Sequence, residues 1–327
     1  MYAHWPVFGH EWAVAHLARA LEHGRVRHAY LFTGPRGVGK TTLARAFAAA
    51  LNCTGDPRPC GQCRACTLTL KDAHPDLATV EPERAGGAVK IDQVRSLQQM
   101  LALRPYEARY RVAILRRFDQ ARPVAQDALL KTLEEPSPNA VLILTADAPD
   151  RLLPTILSRC QVLNLRLLPM AQVQQALETH FGAPPERAQL LAHLSGGRMG
   201  WAIRALDDPD VLALRESALA ALGEALGAPL RARFALADAL ARDKSALPDV
   251  LDTWLVFWRD VLLAAAENAA PLSNVDVRQD VETLARRVGV EGAEAALRAT
   301  RRTLDYLSRN VNARLALEVL LLDYPTP

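Results

Sequence analysis

The chain has 327 residues, half of them apolar, and a formal net charge of +3. That length supports two or three domains with cores of their own, and that charge is too small to demonstrate a polyanion partner. With no signal-peptide pattern and no uninterrupted apolar run of membrane-spanning length, the expectation is a cytoplasmic protein without membrane contact.

The opening segment Tyr2-Ala3-His4-Trp5-Pro6-Val7-Phe8-Gly9-His10 leads into a helix expected to end near His23. Trp5 and Phe8 read first as core anchors and second as groups that pack over a nucleotide base. A strand, Ala29-Tyr30-Leu31-Phe32, then a glycine loop, Gly34 to Thr42, and a helical run through Leu51 give the context that the phosphate-binding pattern G-x-x-x-x-G-K-[ST] requires. Gly34, Gly37 and Gly39 let backbone N–H groups turn inward on phosphate oxygens. Lys40 would meet the β- and γ-phosphates, and the Thr41 hydroxyl, beside Thr42, would ligate Mg²⁺. ATP or ADP is the implied ligand.

Four of the five cysteines follow within fourteen residues as Cys53-x6-Cys60-x2-Cys63-x2-Cys66, bent by Gly55, Pro57, Pro59 and Gly61. Two C-x-x-C steps sharing Cys63 suit a closed tetrahedral zinc site that holds a short loop together; disulfides are the bland alternative. His74 is a rival ligand, but four thiolates fill the shell.

Further strands are expected around His74–Val80, Tyr110–Leu115, Val141–Thr145 and Gln161–Leu165. Helices are expected from Val89 to about Leu103, around Asp127 to Glu135 where Pro136 stops it, and in a short piece ending at Ser158-Arg159-Cys160. This alternation implies an α/β P-loop domain over residues 1–165: a parallel five-stranded sheet with helices on both faces, the cysteine module inserted, and ligands at the carboxyl ends of the strands. Residues 166–207 read as a small helical lid, with a hinge at Asp207-Asp208-Pro209-Asp210, and residues 208–327 as an all-α domain. The stripe Leu251, Trp254, Leu255, Trp258 reads as core or helix-partner surface rather than ligand site.

From Arg84 to Arg122 nine basic residues (Arg84, Lys90, Arg95, Arg104, Arg109, Arg111, Arg116, Arg117, Arg122) face three acids (Asp92, Glu107, Asp119). Backbone contacts to nucleic acid and a plain solvated face are both compatible with this, and no aromatic interleaving suggests base stacking.

His28 to Pro35 with the glycine loop, the four-cysteine insertion, Ala128 to Pro136 and Thr155 to Cys160 together resemble the bacterial clamp-loader family of DNA polymerase III, a AAA+ assembly, and Asn310 to Glu318 is similar to its closing helix. The resemblance runs from about residue 4 to residue 322. It implies that residues 208–327 form a collar in a hetero-pentameric ring, with delta and gamma/tau subunits as neighbours. It also implies a sliding clamp reached through the complex and primed DNA touched by backbone contacts. In that family the arginine of Ser158-Arg159-Cys160 is an arginine finger, reaching in trans to the γ-phosphate held by a neighbour. The family's ATP-hydrolysing subunits end the third strand in an Asp-Glu pair, and a gap-free count back from Ala128 places that pair on Arg116 and Arg117. The lid-sensor arginine of the family aligns near Gly200, with Arg198 as the nearby substitute.

A finger without its own hydrolytic centre is the profile of a stator with weak or absent ATPase, which is the favoured reading. The alternative is a motor of the tau/gamma type that uses an acid such as Asp119. A third class, a zinc-bearing nucleotide-dependent enzyme such as a small-molecule kinase, needs an acceptor cluster that the sequence does not offer. No acidic triad for two-metal nucleotidyl transfer stands out, so no polymerase site is expected in this chain.

Overall fold

The computed structural model of the protein describes residues 5–83, 87–309 and 311–325. Tyr2 to His4 of the opening segment, Arg84 of the basic stretch and Asn310 of the closing motif lie outside them. The described residues divide into two compact units, one of 5–83, 87–168 and 198–200, the other of 169–197, 201–309 and 311–325.

In the first unit β1 (Ala29–Thr33), β2 (Leu77–Val80), β3 (Arg111–Leu115), β4 (Ala140–Ala146) and β5 (Gln161–Asn164) form one sheet in the order β2-β3-β4-β1-β5. Every pairing is parallel. The connections carry α1 (Glu11–Glu22, before β1), α2 (Lys40–Asn52), α3 (Arg64–Leu70), α4 (Ile91–Ala102), α5 (Pro123–Glu134) and α6 (Pro154–Leu157). Parallel strands covered on both faces have to be apolar at successive positions, not alternate ones. Accordingly β1, β3 and β4 are buried at every residue. Tyr30, Phe32, Ile114 and Ile143 point to one face, where Leu17, Leu43 and Phe47 of α1 and α2 cover them. Leu31, Ala113, Leu142 and Leu144 point to the other, against Val94, Leu97 and Leu129 of α4 and α5. Trp5 is buried and stacks on Phe47, so the core-anchor reading of this residue holds.

The second unit is helical: α7 (Met170–Phe181), α8 (Pro185–Ser195), all but the start of α9 (Met199–Asp207), then α10 (Pro209–Gly227), α11 (Leu230–Arg242), α12 (Leu247–Ala265), α13 (Arg278–Ser308, kinked at Gly289) and α14 (Ala313–Asp323). The expected hinge at Asp207 to Asp210 contracts to a one-residue break. Asp207 ends α9, and Asp208 caps α10 by accepting the Asp210 N–H at 3.0 Å, with Pro209 in the first helical position. Trp254 and Trp258 are fully buried and both pack against Tyr324, with ring centroids 5.9 and 5.3 Å from it, as the apolar spacing implied. Buried Arg233 of α11 donates to the carbonyls of Leu321 at 2.7 Å, Tyr324 at 3.2 Å and Pro325 at 3.0 Å, closing the C-terminal end of α14.

Candidate functional site

The glycine loop joins the carboxyl end of β1 to the N-terminus of α2. Gly34 has φ 138°, and a Cβ there would lie 2.2 Å from the Leu165 carbonyl oxygen, so no other residue fits. Gly37 and Gly39 also have positive φ, 79° and 113°. Gly39 is the cap of α2 and offers no side-chain acceptor, which leaves the first-turn N–H groups for an anion. Half-buried Thr41 and exposed Thr42 stand in that first turn. Two contacts brace the loop from outside. Buried His10 bonds through Nε2 to the Val38 carbonyl at 2.9 Å, and burial holds its imidazole below the ordinary histidine range. At the start of α9, Gly200 donates its N–H to the Gly37 carbonyl at 2.8 Å, an approach that a Cβ 3.0 Å from the same oxygen would crowd.

Lys40 is buried, and its ammonium has three acceptors: the Gly34 carbonyl at 2.6 Å, the Pro35 carbonyl at 2.8 Å and the Asp147 carboxylate at 2.6 Å. Asp147 is placed by the sheet. Thr33 of β1 is level with Ala146 of β4, so the residue after β4 comes out beside Gly34. A second acid lies behind it. Asp119, in a 3-10 turn after β3, is pushed up to about 6 by burial and by the charge of Asp147, against the Ala148 N–H that it accepts at 3.2 Å. Its Oδ1 is buried without a hydrogen-bond partner among the described residues.

Arg116 and Arg117 do follow β3 directly, as the count implied, but they do not turn to the phosphate loop. Arg116 continues the ladder to the Val80 carbonyl and pairs with Glu81 at 2.7 Å, on the far side of β3 from β1. Arg117 takes a left-handed turn at φ 51° and donates its N–H to Thr145 Oγ1. The sheet order explains this: β4 stands between β3 and β1, whereas β2 is the neighbour on the other edge.

The sulfurs of Cys53, Cys60, Cys63 and Cys66 all lie within 4.8 Å of one another, with Cys53 and Cys63 3.9 Å apart. That separation is far beyond a disulfide and close to the roughly 3.8 Å edge of a tetrahedron with 2.3 Å metal–sulfur bonds. All four are free thiols. Backbone N–H groups point at the sulfurs, from Gly55 and Cys60 to Cys53, from Cys63 to Cys60 and from Cys66 to Cys63. For Cys63 burial works upward, but the N–H groups of Cys66 and Thr54 outweigh it and bring the thiol down to about 5. Burial raises Cys53 and Cys66. The four residues fit a soft divalent metal held as thiolates. His74 is not among them: it is buried, and its Nδ1 accepts the Asp76 N–H.

Arg159 lies between α6 and β5, half-exposed, with Nη2 2.7 Å from Glu134 at the end of α5 and Nη1 on the Thr155 carbonyl at 3.1 Å. Because Tyr30 is level with Gln161 in a parallel pair, Arg159 falls at the amino end of the sheet, level with His28, while Gly34 is at the carboxyl end. Six residues of strand separate the two levels, roughly 20 Å.

The family model for DNA polymerase III, delta subunit, matches residues 9–169, and that for the C terminal part of the same subunit matches residues 209–326. The delta' subunit of DNA polymerase III from Bacillus subtilis is 31% identical over 312 residues, which are 94% of this chain and 93% of that one. The chain belongs to the delta' family of DNA polymerase III. The delta' subunit of Pseudomonas aeruginosa is 40% identical over 179 residues, 52% of this chain and 53% of that one. Gamma/tau subunits match as well: that of Mycobacterium tuberculosis is 40% identical over 167 residues, covering 50% of this chain and 28% of the relative. This chain therefore spans under a third of that gamma/tau relative. A gamma subunit-related protein of Thermotoga maritima covers 94% of this chain and 97% of its own at 17% identity and a TM-score of 0.43, too loose a likeness to argue from.

Within this delta' family chain the basic stretch is less free than its sequence suggests. Arg111 is buried, donating to the Met100 carbonyl and lying 3.3 Å from Asp76, so it faces no polyanion. Lys90 pairs with Glu83 and Arg116 with Glu81. Arg95, Arg104, Arg109 and Arg122 are exposed. The stretch also carries aromatics that the sequence reading passed over. Tyr106 is 80% exposed on a loop whose N–H groups at Tyr106, Glu107 and Ala108 all bond to buried Asp76, and Arg109 lies over the Tyr110 ring.

Asp147 is the site residue that sequence reasoning missed. Its signal was present: an acid directly after the apolar run Val141 to Ala146, at the carboxyl end of a parallel strand. Glu134 lay inside a quoted motif but had no role until Arg159 was placed against it.

Proposed function

We propose that this chain is the stator of the DNA polymerase III clamp loader, a subunit that lends Arg159 in trans to the nucleotide site of a neighbouring subunit and supports ATP-dependent loading of the sliding clamp onto primed DNA. The observation that carries this reading is the opposite placement of Arg159 and the glycine loop along parallel β1 and β5. A guanidinium at the amino end of the sheet cannot serve the phosphates at the carboxyl end of its own sheet, so its chemistry is directed outward. Arg159 is solvent-accessible and is held by one exposed carboxylate, a partner it can exchange for phosphate oxygens. Zinc is the metal that the four thiolates suit, in a structural role. Residues 166–207 act as the lid and residues 208–327 as the collar, through which delta and gamma/tau neighbours complete a five-membered ring. Backbone phosphates of DNA meet the exposed arginines of the basic stretch.

The test is Arg159→Ala in the loader reconstituted from all subunits. ATP turnover and clamp loading fall while assembly is kept; unchanged turnover refutes the reading. One observation favours a motor instead: Asp119 and Asp147 bring two carboxyl groups to the side of Lys40. DNA-stimulated ATPase in the purified chain that Lys40→Ala abolishes would establish that alternative.

A further inference from the structure

We propose that Asp147 makes the phosphate loop of this chain a nucleoside-diphosphate site that turns triphosphates away. The inference rests on the reading that the glycine loop holds a nucleotide, and it is independent of the role given to Arg159.

An ammonium has three N–H donors, and those of Lys40 are taken by the Gly34 carbonyl, the Pro35 carbonyl and the Asp147 carboxylate. In a phosphate loop this lysine spans the β- and γ-phosphates. An arriving β-phosphate displaces the two carbonyls, which are neutral acceptors and lie in the loop itself. The carboxylate is different, because it is charged, stands 2.6 Å from the ammonium and is fixed in place by the pairing of β4 with β1. It occupies the station that a γ-phosphate oxygen would take on the same lysine. A diphosphate leaves that station to Asp147 and completes the lysine's partners. A triphosphate brings further negative charge against Asp147 across a lysine that is 6% exposed, and the 27% of the Asp147 side chain left in water screens that repulsion only in part. The charged groups around Asp147 add to the effect: Lys40 is its one close cation among the described residues, and on the β3 side it faces Asp119, a second acid, whose carboxyl is raised by burial and further by this proximity.

The experiment is calorimetric titration of the full-length protein with ADP and with ATP, each with and without Mg²⁺, for the wild type, Asp147→Asn and Lys40→Ala. The wild type is expected to bind ADP at least about tenfold more tightly than ATP. Asp147→Asn, which keeps the shape and removes the charge, brings the two within about threefold by tightening ATP. Lys40→Ala loses both. Equal affinities in the wild type overturn the proposal, as does the absence of binding of either nucleotide. Weaker binding of ATP with Mg²⁺ in Asp147→Asn also overturns it, because Asp147 would then be a metal ligand. If the asparagine variant does not fold, Asp147→Ser is read in the same way. None of these failures touches Arg159, whose action is measured on the neighbour's turnover.

Discussion

Glu134 holds Arg159 at 2.7 Å, and both side chains remain open to water. A solvent-exposed pair of this kind is worth about 0–1 kcal/mol, so it orients the guanidinium without locking it. Glu134→Gln is therefore expected to move the melting temperature of the isolated chain by no more than about 3 °C. Under the finger role proposed for Arg159, Arg159→Ala in the reconstituted loader is expected to lower turnover at the neighbouring site by roughly a thousandfold or more. Arg159→Lys does not restore it, since lysine lacks the planar fork. Steady-state ATPase of the assembled complex, with assembly checked by size-exclusion chromatography, decides both.

The cysteine cluster predicts one zinc per chain by elemental analysis. Chelation or Cys63→Ser should remove it and lower the melting temperature, because the loop from Cys53 to Cys66 has little apolar core beyond Ala49 and the cysteines themselves. A metal content unchanged in Cys63→Ser would remove that residue from the ligand set.

Asp119 gives the protein a pH signature. Its folded value, about 6, lies above the ordinary 3.8, so the folded state holds a proton that the unfolded chain has already lost. Stability attached to this group is full below about pH 4, declines as pH rises towards 6 and stays low above it, a loss of up to ~3 kcal/mol. Asp119→Asn should therefore raise the melting temperature at pH 8 and leave it nearly unchanged at pH 4, as read by calorimetry across that range.

Arg233 is buried with its donors on the carbonyls of Leu321, Tyr324 and Pro325. Arg233→Ala strands those acceptors at about 1–3 kcal/mol each, and denaturant unfolding should show a loss of several kcal/mol. A loss below 1 kcal/mol would mean that water replaces the guanidinium at no cost.

Much of this was legible in the chain itself. Strands buried on both faces write themselves as apolar runs, which is why the five strands fall within a few residues of their expected places, and the spacing of the four cysteines already implied that their sulfurs converge. What the sequence hid is lateral. Asp147 and Lys40 are 107 residues apart in sequence (147 minus 40) and meet only because β4 pairs with β1, while Arg116 turns to Glu81 because β2, not β1, lies beside β3 on the side away from β4. Counting residues along a strand locates its end but cannot say which neighbour that end will face. The same holds for Arg111, counted with the surface cations and found against Asp76 in the interior.

Trp5 stacks on Phe47, in the helix that leaves the phosphate loop, and its indole N–H is donated to the Arg58 carbonyl at 3.0 Å, inside the cysteine loop. One ring thus joins the N-terminal segment to the cysteine loop. Emission from this ring, isolated by subtracting a Trp5→Phe control because the chain has five tryptophans, is expected to shift when a metal at the four cysteines is chelated, with no label attached.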